Sequence, residues 1–461
     1  VVETDLYVAE FSSFGGRLKR FELKEYAVTA QPGSAPLDMV ASDSLLPLGL
    51  YWTSRAGVVE ADTPLTFELE ASSLRIRGDE ESVVSLRAQT PEGNPIVKRL
   101  RLRANSYVID YQVDIGSGAA QAIGVAWARR INPATDHVTG TEGPVAHVDG
   151  SLHTEIGAKL AEPVSMAGAI DWAGYADHYF LAAYVPAASA GHRFVAAASA
   201  GVAEAQLWKE STDGGVSYEL FIGPKSIRLL GKLGHHLEAA VDLGYFTIVA
   251  RPLLELLFFL NRFVANFGVA IILLTVGIRI VFYPINQRQV AAMKSMQRIQ
   301  PELRAIQEKY KDDRERMNKE VMETYRRHKV NPLAGCLPML LQIPVFIGLY
   351  NALLQAIELR HAPFVGWIQD LSQPDRLGTL PIPFVAPPGI PVMTLLMGAS
   401  MVIQQRMTPS MGDPAQQRMM MILPVVFTVM FVNFPSGLVL YWLANNIMMI
   451  GQQYLTNRSG S

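Results

Sequence analysis

One full charge sits inside the most apolar stretch of the chain. Residues 264–284 (VANFGVAIILLTVGIRIVFYP) form a run of about 20 almost wholly apolar residues, the length that crosses a ~30 Å bilayer core as a helix. Arg279 lies within that run. A charge at such a depth costs at least ~2.5–3.5 kcal/mol on insertion scales, so it needs a reason to be there. Two accounts are open. Arg279 precedes Pro284 by about 7.5 Å of helix at 1.5 Å per residue, close enough for its side chain to snorkel to the interface. Alternatively it stands in a water-filled groove. No acidic residue occurs in any of the apolar segments to pair with it, as a proton or ion relay would require. An unpaired guanidinium there would attract passing anions, acidic side chains or lipid phosphates among them.

Other residue types that do chemistry are present without the spacing that chemistry needs. His137, His147, His153, His178 and His192 are scattered through the first half with no metal-ligand spacing. The single cysteine, Cys336, excludes a disulfide framework and reads as a small packed residue. Gly231-Lys232 is followed by Leu233, and the upstream glycine is wrongly spaced for a phosphate loop. Ser400 and Ser436 fall in or beside apolar segments, but the only histidines of that half, His328 and His361, fall in loops. An intramembrane serine protease is therefore disfavoured, as is a transporter, for which inverted repeats and paired intramembrane ions are missing. The chemistry that remains is binding, with no cofactor implied.

Two kinds of element must position these residues. From Val1 to about Asp242 the pattern is β: Tyr107, Ile109, Tyr111, Val113 and Ile115 alternate with Asp110, Gln112 and Asp114, the period of a half-buried strand. Turn signals such as Gly15-Gly16, Pro32-Gly33 and Asp213-Gly214-Gly215 punctuate it. Many short strands over roughly 240 residues predict a large β-sandwich. Residues 242–262 change to helical period, with Phe246, Val249, Leu253, Leu256, Leu257 and Leu260 at three- and four-residue steps. That segment reads either as an amphipathic helix in the membrane interface or as an ordinary helix packed on the β-domain.

The remainder is a polytopic helical part. Apolar spans fall at about 263–284, 333–357, 391–407, 419–433 and 437–455. Two of them are short, and mismatch of that kind is relieved by bilayer thinning. Thr275, Gln342, Tyr350, Asn351, Gln355, Gln404, Gln405, Asn445 and Asn446 place polar groups at depth, and Pro338, Pro344 and Pro424 free backbone carbonyls, which together predict a wet cavity among the helices. Between the first two spans, 285–331 reads as two antiparallel helices turning at Lys311-Asp312-Asp313, with Pro301 expected to begin a new segment or kink the first. Residues 288–329 carry 12 Lys and Arg against 7 Asp and Glu, an excess that marks the cytoplasmic side. Starting outside, five spans put that hairpin, the 408–418 loop and the C-terminus inside, and the proline-rich 358–390 loop outside. Residue 1 opens on strand-like sequence with no cleavable signal, so a domain outside the cytoplasm implies a signal or anchor helix ahead of it.

Four stretches make the chain recognisable: VGIRIVFYPINQRQ, VNPLAGCLPMLLQIPVFIGLYNAL, ELRHAPFVGWIQDLS and FPSGLVLYWLANN. In order and spacing they resemble the YidC membrane-protein insertases, relatives of the mitochondrial and chloroplast insertases, over about 242–457. The first half, through DWAGYADHYFLAAYVP and LFIGP, resembles the large periplasmic domain of the family's Gram-negative members, a fold similar to sugar-mutarotase supersandwiches but without a mutarotase catalytic set.

The resemblance implies a multi-pass protein of the bacterial inner membrane with a periplasmic N-terminal domain (1–241) and a cytoplasmic C-terminus. An interfacial helix (242–262) leads to a five-helix core (263–457) with a cytoplasmic hairpin (285–331), and 458–461 is an appended tail. It further implies a hydrophilic groove, open to cytoplasm and lipid, containing Arg279, with Thr275 one turn earlier and Gln342, Trp442, Tyr350 and Asn445 as its lining. Arg298, Arg304, Lys309, Arg314 and Arg316 fall on the basic hairpin. The implied partners are nascent membrane proteins, the lipid bilayer, the Sec translocon, the ribosome and signal-recognition machinery, with no direct binding of DNA and no enzymatic reaction. A membrane scaffold for the translocon, without insertion of its own, is the alternative.

Overall fold

The computed structural model describes residues 1–42, 45–70, 73–116, 118–131, 142–155, 160–328, 337–407 and 414–458. His137, Cys336 and most of the 408–418 loop lie outside the described residues. The chain divides into two compact units, Val1–Asp242 and Leu243–Ser461.

The first unit is almost wholly β, because its sequence alternates with period two between frequent turns. Its largest sheet has nine strands and is antiparallel throughout, with Gly215–Pro224 beside Val108–Ile115, then Pro95–Arg103 and Glu81–Gln89. A six-stranded sheet centred on Ala120–Arg130 packs against it, and a five-stranded sheet is built from the N-terminal strands. Strand Val108–Ile115 keeps the expected alternation: Ile109, Tyr111, Val113 and Ile115 are buried and Asp110, Gln112 and Asp114 face outward. Trp127, Trp172 and Trp208 are core residues, and the Tyr184 hydroxyl crosses between sheets to the Ala126 carbonyl at 2.9 Å.

A charged cluster is sealed inside this unit. Lys98 is fully buried and donates to the carbonyls of Gly15, Gly16 and Leu48 and to Asp62 Oδ2, at 2.9, 3.2, 2.9 and 2.6 Å. Arg17 Nε and Nη2 take the other Asp62 oxygen at 3.0 and 2.5 Å. Burial, opposed in part by Asp62, pulls the Lys98 ammonium down to about 8.

Gly231, Lys232 and Leu233 lie on a short helix, α1 (Ile227–Leu233), which leaves no loop there to cradle a phosphate. His147 is tied into the fold. His147 Nδ1 meets Asp171 at 2.8 Å and Ser189 donates to the same carboxylate at 2.7 Å. The aspartate is in the middle, so the serine is not aimed at the imidazole as nucleophilic catalysis needs.

The second unit is helical: α2 (Thr247–Val264), α3 (Phe267–Lys309), α4 (Arg314–Arg327), α5 (Leu337–Gln355), α6 (Val392–Met407), α7 (Pro414–Phe431) and α8 (Ser436–Arg458). Among the described residues one segment, Phe267–Ile285, is long and apolar enough to cross a membrane; Met421–Phe431 is a shorter apolar helix. A turn through Ala265, in the left-handed region, separates α2 from α3, and the Asn266 side chain caps α3 by accepting from the Val269 amide at 3.0 Å.

Of the two alternatives for Pro301, a new segment is excluded: α3 runs through Pro284 and Pro301 as one 43-residue element. Its far end is braced instead, since Met296, Ile299 and Leu303 pack with Val321 and Tyr325 of α4. The packed face of α2 does not coincide with its apolar stripe. Ala250, Leu254, Leu257 and Phe258 face inward, whereas Leu256 is 42% exposed together with Ile248, Phe259 and Phe263. The helix is amphipathic, but much of its apolar side stays exposed, so periodicity alone does not choose its inner face. Packing against α3 and α5 does.

Candidate functional site

The candidate site is where α3 meets α8. One turn of helix separates Thr275 from Arg279, so both project from one side of α3. Arg279 Nε donates to Asn445 Oδ1 at 2.9 Å and Nη2 to the Asn445 carbonyl at 3.3 Å. These bonds engage two of the five N–H groups of the guanidinium. Among the described residues no carboxylate lies within ion-pair distance of it.

The structure adds a residue that sequence reasoning missed. Tyr441 is one turn before Asn445 on α8 and only 2% exposed, with Arg279 and Gln342 as polar neighbours. Among the described residues its hydroxyl has no partner at full hydrogen-bond geometry, with the Gln342 side chain beside it, which leaves it capacity for a further partner. The four-residue step from Tyr441 to Asn445 was the available signal.

Other expected lining residues are spoken for. Thr275 is 1% exposed and its hydroxyl returns to the Ile271 carbonyl at 2.7 Å, within α3. Trp442 sits among rings, with centroids 4.7 Å from Phe346, 5.2 Å from Phe431 and 5.5 Å from Phe427. Tyr350 faces Phe434 at 6.0 Å. Thus Arg279, Asn445 and Gln342 are brought together around Tyr441, whereas Trp442 and Tyr350 belong to an aromatic layer joining α5, α7 and α8.

Two polar residues expected to line a wet cavity, Asn446 and Asn351, are tied to other segments instead, and Gln453 makes a similar tie. Asn446 Nδ2 donates to Ser400 Oγ at 3.0 Å, and that hydroxyl donates to the Met397 carbonyl at 2.6 Å. Gln453 Nε2 reaches the Met407 carbonyl at 2.7 Å. Asn351 Nδ2 donates to the Leu243 carbonyl at 3.0 Å. In low dielectric such bonds satisfy groups that would otherwise be costly to bury. Gly398 allows α6 and α7 to approach, since a Cβ there would collide with Thr428.

Arg298, Arg304, Lys309, Arg314 and Arg316 are all exposed on α3 and α4. Lys309 and Arg316 lie 5.1 and 5.6 Å from the Tyr310 ring. In the β unit, a cleft of about 410 Å³ opens on the outer face of the nine-stranded sheet, lined in part by Arg99, Arg101, Asp110, Gln112, Glu219 and His235. Its arginines are engaged locally, Arg99 with Asp114 and Arg101 with Glu81.

With this geometry in hand, the chain was compared with known proteins. Residues 1–256 match the family described as the YidC periplasmic domain, and residues 259–461 match the 60Kd inner membrane protein family. The chain is 40% identical to the membrane protein insertase YidC of Syntrophobacter fumaroxidans, over 99% of this chain and 86% of that protein. It is 42% identical to that of Pelobacter propionicus, again over 99% and 86%. The solved structure of an active YidC insertase with its first transmembrane domain resolved covers 98% of this chain and 91% of its own, at 18% identity and a TM-score of 0.42. Since both halves match in order, and identity near 40% is sustained along essentially the whole length, the chain belongs to the YidC family of membrane protein insertases.

Proposed function

We propose that this inner-membrane protein moves short hydrophobic clients from the cytoplasm into the bilayer along a lipid-open groove containing Arg279, without hydrolysing nucleotide. The observation that carries the reading is the state of Arg279: among the described residues it is hydrogen-bonded to Asn445 alone, which leaves three N–H groups, and no carboxylate lies within ion-pair distance of it. A charge satisfied by an ion pair would be structural. One left with open donors in an apolar unit is poised for a visitor.

The chain crosses the membrane five times in this reading, at about 263–284, 333–357, 391–407, 419–433 and 437–455. The β-domain and the 358–390 loop lie in the periplasm, and the basic hairpin 285–331 and the C-terminus lie in the cytoplasm, as the excess of Lys and Arg favours. The exposed apolar side of α2 suits the membrane interface.

A client is received at the hairpin, where Arg298, Arg304, Lys309, Arg314 and Arg316 offer contacts to a ribosome or signal-recognition machinery. The client's polar tail enters beside Arg279, where Asn445, Gln342 and the Tyr441 hydroxyl lower its desolvation cost, largest for acidic groups. Short spans thin the bilayer and shorten the remaining path. The apolar segment then passes into lipid along α5 and α8, past Trp442 and Tyr350, driven by burial at ~25 cal/mol per Å². No cofactor enters these steps. The Sec translocon is a partner for longer clients.

The test is insertion of a single-span client with a short acidic tail into liposomes carrying the chain. Loss of a charged hydrogen-bonding group is worth ~1.5–3 kcal/mol, so Arg279→Ala should reduce insertion about tenfold or more, with Arg279→Lys retaining an intermediate rate. Insertion indifferent to both substitutions would make Arg279 a snorkelling residue. No insertion above empty liposomes would favour the scaffold.

A further inference from the structure

The loop between α5 and α6 contains an adjacent pair of opposite charges, Asp375 and Arg376, that make no ion pair with each other. Arg376 is half-buried and its five N–H groups are saturated by oxygens. Nε donates to the Pro387 carbonyl at 2.7 Å; Nη1 donates to those of Asp375 and Val432 at 2.7 and 3.0 Å; Nη2 donates to the Ala386 carbonyl and Asn433 Oδ1, both at 2.9 Å. Val432 and Asn433 directly follow the last residue of α7. Asp375 is 3% exposed and turns the other way, accepting from the Met393 amide at 2.7 Å and the Thr394 hydroxyl at 3.2 Å in the first turn of α6.

The pair thus places an anion at the start of α6 and a cation at the end of α7, each the sign its helix terminus favours. The same loop holds the start of α8. The Ser436 amide donates to the Gln373 carbonyl at 2.8 Å, the Gly437 amide to that of Leu371 at 2.9 Å, and the Ser436 hydroxyl to that of Asp370 at 2.9 Å. Three helix ends therefore meet on one stretch of loop. This connection makes sense if that end of the unit must stay closed while helices elsewhere yield to a client.

We propose that Asp375 and Arg376 are positioning residues that clasp the ends of α6, α7 and α8 together and keep the client groove closed on the extracytoplasmic side. The inference rests on the groove reading and on its topology. It assigns to these two side chains the one-sidedness that insertion needs: a polar tail lodged beside Arg279 faces a barrier that does not leak. Lysine cannot substitute at 376, because an ammonium has three N–H groups and no planar fork to span carbonyls from two separate segments.

The experiment uses the full chain in liposomes loaded with a small anionic dye, with Arg376→Ala, Arg376→Lys and Asp375→Asn. Amide exchange over 386–394 and 432–437 is followed alongside dye release, and neither readout needs a client. Loss of these charge-assisted bonds should speed exchange about tenfold or more in all three variants. Dye release should rise severalfold over wild type in all three variants, with Arg376→Lys failing to restore tightness. Unchanged exchange would overturn the clasp. Faster exchange with no added dye release would also overturn it, leaving only a local loop tie. If Arg376→Ala does not fold, Arg376→Lys and Asp375→Asn decide by the same two readouts. Failure of wild type to insert a client would sink the groove reading without altering either measurement.

Discussion

Arg279 and Lys98 are both cations away from bulk water, and their surroundings give them opposite fates. Lys98 is enclosed by three carbonyls and Asp62, so its charge is consumed by the fold. Replacing Asp62 by Ala would leave Lys98 and Arg17 uncompensated, and breaking a buried pair in this way costs ~3–5 kcal/mol. Calorimetry of Asp62→Ala should show that loss as a lowered melting transition. The pH dependence has a definite sign. Because burial pulls Lys98 down to about 8 from an ordinary 10.5, the folded chain releases a proton in that window that the unfolded chain still holds. Stability contributed by this group must therefore rise between about pH 8 and 10.5. Subtracting the profile of Lys98→Met from that of wild type should isolate the rise. At the other site, Asn445→Leu removes the acceptor that aims Arg279. A hydrogen bond to a charged group is worth ~1.5–3 kcal/mol, so client insertion should fall about tenfold while the β unit melts unchanged.

At the scale of the element, α3 shows how packing overrides local propensity. Proline in a helix interior costs ~3 kcal/mol relative to alanine, yet Pro284 and Pro301 lie inside one continuous helix. The hairpin core offsets part of that cost on either side of Pro301, where Met296, Ile299 and Leu303 meet Val321 and Tyr325. Leu303→Ala should remove ~2–3 kcal/mol of this support. Amide exchange in Arg314–Arg327 should then accelerate by one to two orders of magnitude, with exchange in the β strands unaffected. The turn at Lys311-Asp312-Asp313 was legible because Asp313 has the chemistry of an N-cap, and its carboxylate does accept from the Arg316 amide at 3.0 Å. The inner face of α2 was not legible, since its apolar stripe, though well defined, is not the side that packs on α3 and α5.

For the whole molecule, the proposed reading makes the balance between a client's apolar and polar parts decide what transfer can achieve. If burial of apolar surface is the sole driving force, it is fixed by the client's apolar segment, whereas the cost of moving a polar tail grows with the tail. Clients with progressively longer tails should therefore lose insertion steeply in liposomes containing this chain alone, and added nucleotide should not restore it. The sequence by itself determined the all-β first half and the helical second half, because period two and period 3.6 are written residue by residue. It also singled out Arg279, since a charge among so many apolar neighbours is conspicuous without coordinates. Tertiary structure alone decided which polar residues surround that charge. Asn445, 166 positions away, is its acceptor, and Tyr441 places a buried hydroxyl beside it. Thr275, Asn446 and Ser400 turn out to be satisfied within or between helices. The physical reason is that hydrogen bonds saturate: whether a polar side chain is free for a client depends on partners that only the packed helices bring within reach.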